Sequence, residues 1–215
     1  MKGISRQDVI FICLLSAGLG VLLAGHLFVG PGSLEPGTVS RGAIFGRDFV
    51  NIWTAGHLVL QQNLGILYDV SAYHAFQEQL FAKTFDWHNF SYPPHFLSFT
   101  AAFALLPYPA AFLLWTAGTF LFFLWSLRGL VKPGWLLVLL VVLAPACMLN
   151  ALTGQNGFLT AGLFVSGVRL VDKKPVLAGL FFGLLTFKPH LGILIPLALL
   201  AGGYWKTFIT AGLVT

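Results

Sequence analysis

An all-α, polytopic transmembrane helix bundle is the fold class this sequence predicts, on three observations. Apolar residues make up 57% of the chain and charged residues 9%, against roughly 25% charged in a soluble domain. Mean hydropathy is +0.85. The apolar residues also fall into successive runs, each closed by a short polar, proline or glycine break. An ordinary water-soluble fold is excluded. The excess of 12 Lys+Arg over 7 Asp+Glu is scattered between the runs, which excludes a nucleic-acid surface and predicts contact with membrane lipids. Cys13 and Cys147 sit inside apolar runs, where a thiol behaves as a small hydrophobe.

The elements follow in order within one transmembrane domain, residues 1–215. Residues 9–29 have the length of a first span. Lys2 and Arg6 precede it, and it ends in Val-Gly-Pro-Gly without an Ala-x-Ala cleavage signal, so it reads as a retained helix with a cytoplasmic N-terminus. Residues 31–108 form a large outer loop, and its stretch to about residue 95 holds four of the six histidines and five of the seven acids. Within it, Phe49 to Leu60 and Ser71 to Lys83 show helical spacing and suit helices in the membrane interface, with Trp53 and Trp87 at headgroup level. Pro93-Pro94 closes the polar segment.

Residues 109–203 contain the remaining spans, in the runs Pro109 to Leu127, Trp135 to Leu149, Phe158 to Leu170, Val176 to Phe187 and Leu191 to Leu200. Residues 206–215 read as the start of a further helix, so the sequence reads as a fragment of a longer chain. Two topologies are open, according to whether Pro94 to Leu106 crosses the bilayer. If it does not, Lys2, Arg6, Arg128, Lys132, Arg169, Lys173, Lys174 and Lys206 all become cytoplasmic, and the positive-inside rule selects that arrangement. It gathers residues 31–108, the Asn150 to Asn156 turn and Lys188 on one outer face.

The chemistry-bearing residues lie on that face. Asp48, beside Arg47 and one turn before Asn51, can act as general base toward a hydroxyl; it can equally serve as the N-cap of the helix starting at Phe49. Tyr92-Pro93-Pro94-His95 is a rigid corner that reads as a hinge or as a site wall. Asp69 suits a cap for the helix from Ser71. Gly154-Gln155-Asn156-Gly157 is a turn whose amides either satisfy backbone groups or meet a ligand. Lys188 stands in an apolar stretch, which makes it a candidate for a lipid phosphate or a snorkelling helix-end lysine. The histidines show no metal-ligand spacing, and no nucleotide or nucleophile-elbow motif is present. No cofactor is read.

Taken in order, Asp48-Phe49, Leu67-Tyr68-Asp69, Tyr92-Pro93-Pro94, Leu106-Pro107, Gly154-Gln155-Asn156 and Ala178-Gly179-Leu180 with Lys188-Pro189 resemble glycosyltransferase family 87. That resemblance implies a GT-C-type, mannosyltransferase-like enzyme of the cell envelope. It implies a polyprenyl-phosphate sugar donor, a lipid or glycan acceptor, and metal-independent inversion at the outer face of the inner membrane. Asp48 would be the base and Lys188 the phosphate contact, with Arg47, Asn51, Tyr92, His95, Gln155 and Asn156 lining the site. Members are roughly twice this length, with about ten or more spans. Two other classes stay open: a secondary transporter or flippase, which calls for an inverted repeat that the sequence lacks, and a non-catalytic assembly subunit.

Overall fold

A computed structural model describes residues 6–28, 46–81, 88–128, 130, 138 and 141–215. Every element among them is helical. The outer loop before Gly46, Trp87, Lys132 and, within the 135–149 run, residues 135–137, 139 and 140 lie outside the described residues.

The first helix, α1 (Arg6–Phe28), packs against α6 (Pro145–Thr153). Gly20 makes that approach possible, because a Cβ there would run into the Met148 sulfur. Between them in sequence come α2 (Phe49–Leu60), α3 (Val70–Phe81), α4 (Leu97–Ala104) and α5 (Tyr108–Ser126). The helix α5 is long and apolar enough to cross a membrane; its 19 residues extend about 28 Å at 1.5 Å per residue. By contrast α4 has eight residues, about 12 Å, and stops far short of a roughly 30 Å hydrocarbon core. A turn of 3-10 helix over Pro94–Phe96 leads into it, as the two prolines dictate.

The helix α2 is enclosed by its neighbours in the chain. It packs against α4 and α5 with Phe49, Val50, Ile52, Ala55 and Leu58 buried. Gly56 admits α4, since a Cβ there would strike the Thr100 carbonyl. Phe49 is ringed by Phe103, Tyr108, Phe112 and Trp115, with centroids between 5.7 and 6.0 Å away. Such aromatic pairs contribute about 0.5–1.5 kcal/mol each beyond area burial, and directional ring packing matters more where lipid removes the hydrophobic drive. Trp53 Nε1 donates to the Leu106 carbonyl at 3.0 Å, tying α2 to the turn before α5.

The second half of the chain stacks α7 (Gly157–Leu170) between α5 and α8 (Pro175–Leu184), and α8 against α11 (Trp205–Val214). The Ala178 to Gly183 stretch is the close-packing face its sequence suggests. A Cβ at Gly179 would meet Thr210 Cβ at 2.6 Å, and one at Gly183 would meet Val214 Cβ at 2.6 Å. Short helices α9 (Pro189–Gly192) and α10 (Ile195–Ala201) connect them. At the far end of α7, Arg169 lies over the Trp125 ring at 4.6 Å. Its guanidinium donates to the Trp125 and Arg128 carbonyls at 3.2 and 2.6 Å, at the C-terminal end of α5.

Candidate functional site

The site begins where two distant turns pair through their backbones. Gly46 N–H donates to the Leu152 carbonyl at 3.0 Å, and Asp48 N–H to the Thr153 carbonyl at 2.8 Å. Both turns depend on left-handed glycines, Gly46 at φ +78° and Gly154 at φ +68°, a conformation that only glycine adopts without cost. Side chains from α5 hold both turns: Tyr108 Oη donates to the Gly46 carbonyl at 3.0 Å and Trp115 Nε1 to the Gly154 carbonyl at 2.9 Å. The first-loop acid and the Gly-Gln-Asn turn are thereby locked side by side.

Asp48 occupies the N-cap position of α2, yet its backbone is helical and its side chain makes no capping hydrogen bond. The capping role that the sequence left open is not taken up, and the carboxylate stays available. Arg47 Nε stands 3.9 Å from Asp48 Oδ1, with 46% of the Arg47 side chain exposed and 20% of Asp48. An ion pair that long and open holds the carboxylate only loosely. Asp69, in contrast, does cap: its Oδ1 accepts from the N–H groups of Ser71 and Ala72, both at 3.0 Å.

Asn51 stands one helical turn from Asp48 and is fixed from α3. Its Oδ1 accepts from Gln77 Nε2 at 3.1 Å, and its carbonyl from Tyr73 Oη at 3.1 Å. Tyr73 and Gln77 are buried. Neither stood out in the sequence, where Tyr73 reads as part of an apolar stripe; their i, i+4 spacing on α3 was the available signal.

The opposite wall is the Tyr92 corner. Tyr92 Oη accepts from Asn156 Nδ2 at 2.9 Å, and the Tyr92 carbonyl accepts from Tyr68 Oη at 2.9 Å. Burial, reinforced by the Asp48 charge, pushes the phenol up to about 12. Asn156 is buried and sits at the N-cap position of α7 without capping it. Asn150 does that work, its Oδ1 accepting from Gly157 N–H at 2.7 Å. Gln155 is exposed beside the site.

Lys188 lies in the break between the 3-10 turn Leu185–Phe187 and α9, at a half-buried position. Burial lowers its pKa, and the Asp48 carboxylate pulls it partly back. The ammonium, the Tyr92 phenol and the Asp48 carboxylate therefore share one electrostatic environment. The Tyr92 ring meets Phe187, the residue before Lys188, at 6.1 Å. An apolar cavity of about 260 Å³ opens beside them, lined by His95, Phe96, Ser98, Phe122, Phe181 and Phe187. His95 Nε2 lies 3.5 Å from Thr186 Oγ1 at its edge. Among the described residues no three His, Cys, Asp or Glu side chains gather as a metal site.

The sequence profile of glycosyltransferase family 87 matches residues 90–215. Tyr92, His95, Gln155, Asn156 and Lys188 fall within that segment; Asp48 precedes it. No curated protein and no solved structure matches the chain.

Proposed function

The chain belongs to glycosyltransferase family 87, and from that premise we propose that it transfers a mannose-like sugar from a polyprenyl-phosphate donor to a lipid or glycan hydroxyl. The reaction is placed at the outer face of the inner membrane, within a single multi-pass domain whose N-terminus is cytoplasmic. The observation that carries the proposal is Asp48: it forgoes its cap, stays partly exposed, and acts electrostatically on Lys188 and Tyr92.

Two opposite charges that act on each other without a direct ion pair suit a displacement in which one end of the reaction loses a proton and the other gains negative charge. The acceptor O–H gives its proton to the Asp48 carboxylate as its oxygen bonds to C1 of the sugar. The bond from C1 to the phosphate oxygen breaks, and its electron pair leaves with the polyprenyl phosphate. The extra negative charge on that phosphate falls to Lys188. The apolar cavity beside Phe187 gives the first isoprene units a lipid-like surface. Asn51, held by Gln77 and Tyr73, and the exposed Gln155 and Arg47 supply polar contacts for the sugars, with His95 at the mouth of the cavity.

Asp48→Asn keeps the side chain's shape and removes the base. It is expected to insert and pack normally while transfer from the lipid-phosphate donor falls by about 10²–10⁴-fold. Radiolabelled sugar transfer in membranes measures this, and an Asp48→Asn variant with wild-type transfer would sink the assignment.

A further inference from the structure

Tyr92 is held with unusual completeness for a loop residue. Its carbonyl accepts from Tyr68. Its ring is wedged among Phe90, Phe96 and Phe187 at 5.4, 4.8 and 6.1 Å. Its hydroxyl accepts from Asn156 Nδ2. Asn156 is 1% exposed and its Oδ1 has no hydrogen-bond partner. An asparagine at an N-cap position normally serves the helix backbone, but here Asn150 serves the Gly157 N–H and the Asn156 amide is turned to the phenol.

The consequence concerns a proton. A hydroxyl that accepts from an amide N–H must send its own O–H elsewhere. The Tyr92 ring packs on Phe187, the residue before Lys188, which sets the phenol beside the break that carries Lys188. We propose that Tyr92 donates a hydrogen bond to the departing phosphate beside Lys188, and that Asn156 is the positioning residue that aims that donor. This rests on the glycosyl-transfer reading above. No proton is transferred: the phenol's hydrogen bond strengthens as the phosphate oxygen takes the electron pair from C1, while the acceptor's proton goes to Asp48. Burial and the neighbouring carboxylate keep Tyr92 protonated throughout the neutral range, so the donor is always present.

Tyr92→Phe retains the ring packing and removes the donor. With a polyprenyl-phosphate sugar it is expected to lower kcat roughly 100-fold, the scale for loss of one transition-state donor, with KM for the donor little changed and the melting temperature preserved. Asn156→Asp places an acceptor-only group against Tyr92, draws the O–H inward, and is expected to lose about as much. The Tyr92→Phe, Asn156→Asp double variant is expected to lose no more than either single variant. A donor with a non-bridging phosphorothioate gives an independent arm that needs only Tyr92→Phe: sulfur is the poorer acceptor, so the gap between wild type and variant narrows. Additive losses, an unchanged gap, or wild-type kcat in Tyr92→Phe overturn the inference. Asp48→Asn run alongside separates its failure from that of the transfer reaction, since an inactive Asp48→Asn with a fully active Tyr92→Phe sinks only the role of Tyr92.

Discussion

Lys188 and Asp48 each entered as residues with a bland second meaning, a snorkelling lysine and a helix cap. Local sequence could not decide between meanings, because capping and catalysis ask for the same residue type at the same place. The missing cap hydrogen bond on Asp48, and its influence on Lys188 across about 140 residues of sequence, favour the site reading. Lys188→Gln is expected to raise KM for the lipid-phosphate donor about 10–100-fold, the range for one lost charge-assisted hydrogen bond; titrating the donor in a transfer assay reads it. The pH dependence has a definite sign. The ammonium is the active form and burial lowers its pKa, so activity falls on the alkaline side below the range of an ordinary lysine. Lys188→Arg moves that limb upward, since a guanidinium does not deprotonate in this range. An alkaline limb that stays in place in Lys188→Arg would assign it to another group.

At the scale of elements, α2 and α3 were legible almost to their ends: apolar spacing predicted Phe49 to Leu60 and Ser71 to Lys83, and the helices run Phe49–Leu60 and Val70–Phe81. The prolines at 93, 94 and 189 likewise marked real breaks. What stayed hidden was which elements meet. Nothing local in Gly46 or Gly154 announces that their turns pair through Leu152 and Thr153, and the enclosure of α2 comes from α4 and α5 rather than from its own pattern. The glycines make the point testable. Gly154→Ala forces a left-handed backbone on alanine, at a cost of about 1–2 kcal/mol, and brings its Cβ to 2.6 Å from Phe49 Cβ. Lower thermal stability in detergent and reduced turnover are expected, because the turn carries Asp48 with it. Gly18→Ala, where a Cβ meets nothing within 4 Å, is the matched control and is expected to leave both unchanged.

For the molecule as a whole, the eight-residue α4 favours a chain that enters and leaves on one side before α5 crosses. In a background without Cys13 and Cys147, Leu105→Cys is expected to react with a membrane-impermeant thiol reagent added outside intact cells, and Lys173→Cys only after permeabilisation. Labelling of both from the same side would dismantle the shared outer face. The clasp of Arg169 on the end of α5 belongs to this scale too. Its helix, α7, starts next to Asn156, and α5 starts at Tyr108, which holds the Gly46 turn. Two stiff rods pinned at one tip keep their other tips level. A slip of one residue at the pin would offset the far tips by about 1.5 Å, enough to pull Asn156 and Asp48 out of step. The alignment of Asn156 with Asp48 is thus set in part some 20 Å away, by a side chain at the far end of both helices, as a spirit level is trued by the screw at its opposite end.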